Sequence, residues 1–133
     1  MLTAVLLTTA LEPKLRPGGR VILLSSVAAL RGGGVYGAAK AALHGWAYAL
    51  AARLGGRGIT VNVVAPGYTA GTEFFGESMS PARHATLVGQ TLVGRAGEPA
   101  DVAAAVSYLA APEAGYVTGQ ILQVNGGSVL GRG

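Results

Sequence analysis

The chain contains no cysteine. Disulfide bridges and thiolate metal centres are therefore excluded, and the composition fits a reducing compartment. Charge is scarce as well: 12% of the residues are Asp, Glu, Lys or Arg, against a usual share of about 25%. Much of the surface is accordingly expected to be covered, within the fold or against a partner. The ten basic residues leave a net charge of +4 but are scattered, with Arg16, Arg20 and Arg31 beside turns and Arg53 and Arg57 at a helix end. They form no basic stripe interleaved with aromatics, so nucleic-acid binding has no footprint. Long hydrophobic runs are also missing. The opening MLTAVLLTTALEP is apolar, yet it is shorter than the roughly 20 residues that span a bilayer and lacks the basic flank of a signal peptide. The expectation is a soluble, cytoplasmic protein with no membrane partner.

What is present is glycine and a regular alternation of elements. The 22 glycines lie between apolar runs rather than in one tract, a pattern of tight turns and close packing. The 133 residues suffice for one domain with a modest core. LTAVLLTTALEPKL reads as a helix ended by the Pro17-Gly18-Gly19 turn, and Val5, Leu6 and Leu11 are its apolar residues. RVILLSS is a short continuous apolar run, as expected of a strand covered on both faces. VAALRGGG reads as a loop, YGAAKAALHGWAYALAARL as a helix stopped by GGRG, and ITVNVVAPG as a second strand. Residues 68–97 read as a long irregular segment with weak helical pieces, the kind of loop that is usually functional. EPADVAAAVSYLAAP is a helix with Pro99 near its start, and QILQVNGG is a third strand. Strands alternating with helices imply right-handed crossovers and a parallel sheet. The predicted fold class is therefore α/β, three parallel strands with flanking helices, in one domain.

Within this frame Tyr36, Lys40, Leu43, Ala47, Leu50 and Leu54 form one helical stripe, because residues three and four apart nearly align. The lower part is apolar and should face the sheet. The upper part places a phenol and an ammonium beside the carboxyl ends of the strands, where open α/β sheets bind ligands. A free tyrosine titrates near 10, but an adjacent cation and a helix N-terminus favour a phenolate. Such a tyrosine can give a proton to a developing alkoxide or take one from an alcohol. Ser25 and Ser26 end the first strand, and alternation sends only one of them into such a site. The structural alternative is a Lys40 that snorkels to water and serines that cap a turn. A hydrolytic reading would pair Ser26 with His44 or His84, but no acidic residue is placed to orient either histidine and no Gly-x-Ser-x-Gly elbow occurs. His44 reads as a helix-surface residue and His84 as a loop residue.

Taken in order, VILLSSVAAL, YGAAKAALHGW, RGITVNVVAPGYTAGT and YVTGQILQVNGG resemble the carboxyl-terminal half of the classical short-chain dehydrogenase/reductases. The branch they resemble contains the 3-oxoacyl-carrier-protein reductases. The resemblance implies the second half of a doubly wound Rossmann-type sheet over residues 1–133, NAD or NADP as cofactor, and hydride exchange with a small carbonyl or alcohol substrate. It implies Tyr36 as acid/base, Lys40 as the cation that assists it and holds the nicotinamide ribose, and Ser26 as the group that orients the substrate oxygen. Pro66, Gly67, Tyr68 and Thr69 would line the nicotinamide, Thr72 or Thr69 would reach the pyrophosphate, and residues 72–87 would form a substrate lid. Phe74, Phe75 and Met79 would supply an apolar wall. Homo-oligomerisation is implied too. The family's glycine-rich pyrophosphate turn has no counterpart in these residues, and Met1 falls where the resemblance would put a polar asparagine. The expectation is therefore a truncated member. The alternative function is a non-catalytic fragment that acts through subunit association.

Overall fold

The computed structural model describes residues 1–131. Helix α1 (Leu2–Leu11) leads through a 3₁₀ turn at Glu12–Lys14 to strand β1 (Arg20–Leu24). A short helix α2 (Ala28–Arg31), the long helix α3 (Gly34–Leu54) and strand β2 (Thr60–Pro66) follow. Helix α4 (Pro81–Gly89), helix α5 (Pro99–Ala110) and strand β3 (Ile121–Val124) complete the order.

The three strands form one sheet in the order β1-β2-β3, and both pairings are parallel. Register runs from Arg20↔Thr60 to Leu24↔Val64 on one side of β2 and from Val63↔Ile121 to Pro66↔Val124 on the other. The six residues Thr60 to Ala65 of central β2 are all buried, which is why this strand reads as a continuous rather than an alternating apolar run. The stripe of α3 packs as the spacing predicts: Ala47, Leu50 and Leu54 form one core cluster with Leu23, Ile59, Val61 and Val63, and Leu43 is buried as well. Helix α5 lies against all three strands and buries Leu109. Asn62 is the polar residue in the middle of β2. Its amide donates to the Val117 carbonyl at 2.8 Å and accepts from the Gln120 N–H at 3.0 Å, so a buried polar side chain is satisfied by the loop that leads into β3.

Four details differ from the sequence reading. Helix α1 stops at Leu11, before the Pro17-Gly18-Gly19 turn, because Pro13 has no N–H to continue the ladder. It buries no residue; Ala4 packs against the core only partly, the Trp46 indole donates to Thr8 Oγ1 at 2.9 Å, and Arg53 pairs with Glu12 at 2.7 Å. The segment VAALRGGG is not all loop, since Ala28–Arg31 make one helical turn closed by Gly32 at φ 75°. Helix α3 begins two residues before Tyr36. The irregular segment contains α4, started by Ser80, whose side chain accepts the Arg83 N–H.

Candidate active site

The carboxyl ends of β1 and β2 and the first turns of α3 meet at one cavity of about 650 Å³. Backbone bonds extend the sheet to its rim: Ser25 N–H donates to Val64 at 2.8 Å, Val27 N–H to Pro66 at 2.8 Å, and Gly67 N–H to Val124 at 2.9 Å. Gly67 sits where a side chain would collide, since an added Cβ would lie 2.7 Å from the Asn125 Cβ. Tyr68 and Thr69 are then fixed by a two-way exchange with Gly97, at 3.0 Å to the Tyr68 carbonyl and 2.9 Å from Ala70 N–H to the Gly97 carbonyl.

The structure brings every residue expected to be catalytic or to hold cofactor to this cavity, whereas Met79, expected in its apolar wall beside Phe74 and Phe75, is not among the lining residues. Ser26, Tyr36, Lys40, Pro66, Gly67, Tyr68, Thr69 and Thr72 all line it. Tyr36 is 43% exposed, and its ring is held against Phe74 with 5.7 Å between centroids. Lys40 Nζ lies 5.8 Å from the centre of the Tyr36 ring and donates to the Leu24 carbonyl at 3.0 Å. The ammonium is therefore anchored to the end of β1 rather than snorkelling freely. Ser26 Oγ accepts the Ala28 N–H at 3.2 Å, a local turn that leaves the hydroxyl proton available. Thr69 Oγ1 bonds the Gly67 carbonyl at 3.3 Å, and Thr72 Oγ1 the Thr69 carbonyl at 3.4 Å. Among the described residues, no acidic side chain lines the cavity and no cluster of metal-ligating side chains occurs.

Two arrangements were missed by sequence reasoning. His44 is buried rather than on the helix surface, and its Nε2 lies 2.8 Å from Ser25 Oγ. Ser25 Oγ also donates to the Lys40 carbonyl at 3.1 Å, so a consistent network puts the His44 proton on Nε2. Burial pushes the His44 imidazole below the usual histidine range. The contact resembles a serine–histidine dyad, but the serine is the buried Ser25, not Ser26, and no carboxylate bonds His44 among the described residues. It is a brace between β1 and the Lys40 turn. The signal was in the sequence, since His44 follows Lys40 by four. His84 lies in α4, not in a loop, and its Nδ1 meets the Tyr68 hydroxyl at 2.7 Å. Rings then run from Tyr68 to Phe75 at 5.5 Å and from Phe75 to Phe74 at 5.0 Å, and Phe74 and Phe75 form an aromatic wall on one side of the cavity.

The family model described as "Enoyl-(Acyl carrier protein) reductase" matches residues 1–129. The 3-oxoacyl-[acyl-carrier-protein] reductase FabG of Escherichia coli K12 is 43% identical over 84% of this chain and 46% of its own length. The dehydrogenase OXI1 of Cochliobolus heterostrophus is 40% identical over 95% of this chain and 57% of its own. Among solved structures, a blue fluorescent protein from a metagenomic library in complex with NADPH superimposes with a TM-score of 0.86 and 35% identity, covering 96% of this chain and 52% of that one. The angucycline C-6 ketoreductase LanV with bound NADP gives a TM-score of 0.86 at 34% identity, covering 96% and 50%. The chain thus spans about half the length of the relatives it matches.

Proposed function

The chain belongs to the short-chain dehydrogenase/reductase family of NAD(P)-dependent oxidoreductases, in its 3-oxoacyl-carrier-protein reductase-like branch, and from that premise we propose that residues 1–133 form the carboxyl-terminal half of a Rossmann-type domain with Tyr36 as its acid/base. The residues present fit the nicotinamide-ribose end of a dinucleotide. A cavity of about 650 Å³ gathers the anchored Lys40 ammonium, the hydroxyls of Ser26, Tyr36, Thr69 and Thr72, and the Pro66-Gly67 corner, with no acidic side chain among the described residues to repel phosphate. Lys40 and Tyr36 would hold the ribose, Pro66, Gly67, Tyr68 and Thr69 the nicotinamide, and Thr72 or Thr69 the pyrophosphate. When bound, the nicotinamide gives or takes the hydride.

The chain's own part is the proton. In the reducing direction the Tyr36 hydroxyl donates to the oxygen that becomes an alkoxide, and in the oxidising direction it recovers that proton from the alcohol. The Lys40 ammonium beside the ring stabilises the negative oxygen left on Tyr36. Ser26, with its own acceptor side occupied by Ala28, presents its proton to the same substrate oxygen and orients it.

The observation that carries the reading is the convergence of Ser26, Tyr36 and Lys40 with the Pro66-Gly67 corner on one cavity. The test is NADPH- or NADH-dependent reduction of an acetoacetyl thioester by the purified chain, with binding of each cofactor followed by its own fluorescence. Tyr36→Phe should lower turnover by about 10²–10⁴-fold with cofactor binding retained. Turnover unchanged in Tyr36→Phe refutes the assignment. A second reading, a non-catalytic fragment acting through subunit association, is favoured by the exposed Leu2, Leu6, Leu7 and Leu11 of α1. It is the conclusion if neither cofactor binds and the chain sediments as a discrete homo-oligomer.

A further inference from the structure

Proton transfer by a phenol has no need of a guanidinium at the lip of the cavity, yet Arg83 of α4 lines it. Three cations line this space, Arg31, Lys40 and Arg83, with no acidic side chain among the described residues. Two of them are engaged within the fold. Lys40 is anchored on the Leu24 carbonyl. Arg31 donates to Gln90 Oε1 at 2.7 Å and to the Ser128 carbonyl. Arg83 is held without being neutralised. Its guanidinium lies 5.4 Å over the Phe75 ring, and its NH1 donates to the Ser78 carbonyl at 3.3 Å. Its NH2 and Nε make no hydrogen bond, and no carboxylate pairs with it, among the described residues. A stacked guanidinium with a free edge matches the two oxygens of a carboxylate.

The path from Tyr36 to Arg83 is aromatic. Tyr36 meets Phe74 at 5.7 Å, Phe74 meets Phe75 at 5.0 Å, and Phe75 carries the guanidinium. A ligand that reaches both ends therefore needs a flat apolar body. We propose that the site takes an anionic ketone: a carbonyl at Tyr36, an aromatic or extended apolar body along Phe74 and Phe75, and a terminal carboxylate on Arg83. Which end reacts rests on the reading of Tyr36 given above. The preference for the anion is read by binding alone.

The probes are 6-acetyl-2-naphthoate and the neutral 6-acetyl-2-naphthamide, which share shape and differ in charge. Titration calorimetry of the wild-type chain without cofactor should give about fivefold tighter binding of the carboxylate, the scale of a partly exposed ion pair, with the advantage shrinking in high salt. In Arg83→Gln the two affinities should come within about twofold, with carboxamide binding unchanged. Arg83→Lys should keep part of the preference. Equal wild-type affinities, no saturable binding of either probe, or a preference that survives Arg83→Gln overturns the proposal. Hydride transfer is measured separately, so a chain that prefers the carboxylate but reduces nothing refutes the reductase reading and leaves the anion site standing.

Discussion

Replacing Gly67 by alanine should open the corner of the site from the sheet side. The added Cβ would stand 2.7 Å from the Asn125 Cβ and 2.8 Å from its Cα, whereas carbon atoms settle at roughly 3.5–4.0 Å. Neither neighbour can rotate away, because one is backbone and the other is attached to it. Asn125 is also fixed at its far end: its amide donates to Gln123 Oε1 at 3.0 Å and to the Val129 carbonyl at 2.9 Å, and its Oδ1 accepts Gly127 N–H at 2.9 Å. The strain must therefore separate β2 from β3 by about 1 Å beyond Pro66, lengthening the 2.9 Å bond from Gly67 N–H to Val124. Overpacking of this kind costs about 1–3 kcal/mol. For a chain of 133 residues the unfolding entropy is about 0.28 kcal/mol/K, so thermal melts followed by circular dichroism should show a Tm lower by roughly 4–11 °C. Gly45 is the control. It lies inside α3 with open space where a Cβ would go, so Gly45→Ala should stabilise by about 0.5–1 kcal/mol. A Gly67→Ala variant that melts within about 1 °C of wild type, or a Gly45→Ala variant that loses as much as Gly67→Ala, refutes the steric account.

Other perturbations have signs set by the same geometry. Burial lowers the His44 pKa in the folded chain. As pH falls below about 6.5 and on through that lowered value, the unfolded chain binds a proton that the folded chain refuses, so stability falls; His44→Gln should flatten this slope in urea titrations between pH 7 and 5. The Asp101 carboxyl is held down to about 2 from an ordinary 3.8, first by the Arg95 guanidinium and then by the Glu98 N–H. Its contribution is complete above the unfolded value and disappears as pH falls through the folded one, so Asp101→Asn should weaken the start of α5 at neutral pH and reduce the acid-side loss in urea titrations carried from about pH 5 down to about pH 2. Leu50 is fully buried at the centre of the α3 cluster, and Leu50→Ala should cost about 2–5 kcal/mol by chemical denaturation.

The geometry of the candidate site was legible because helical and strand periods act on few residues. The stripe from Tyr36 to Leu54 needed only the helical repeat, and its apolar members are buried as that repeat requires. The strands were visible as β-branched runs ended by Ser25-Ser26 and Pro66-Gly67. What stayed hidden depended on contacts between distant segments. The spacing of four from Lys40 places His44 beside the buried stripe, but nothing local announces that Ser25, 19 positions earlier, will meet its ring. The lid read as irregular because α4 is a short helix whose start depends on one capping serine, and its aromatic wall exists only once the chain returns over Tyr36. Arg31 and Gln90 are 59 positions apart, and no spacing rule connects them.

Helix α1 bears on how every melting curve of this protein should be read. Among the described residues its attachments are a hydrogen bond from Trp46, the Arg53 ion pair and an Arg57 hydrogen bond at its C-cap Glu12, and an alanine against the core. A helix of 10 residues is too short to persist unaided in water. It can therefore fray away while the sheet stays intact, and the unfolding free energy of the chain has a small first step that belongs to this helix alone. All-or-none bookkeeping applies to the strands and to α3, and a probe placed near Trp46 reports the loss of α1 before it reports theirs.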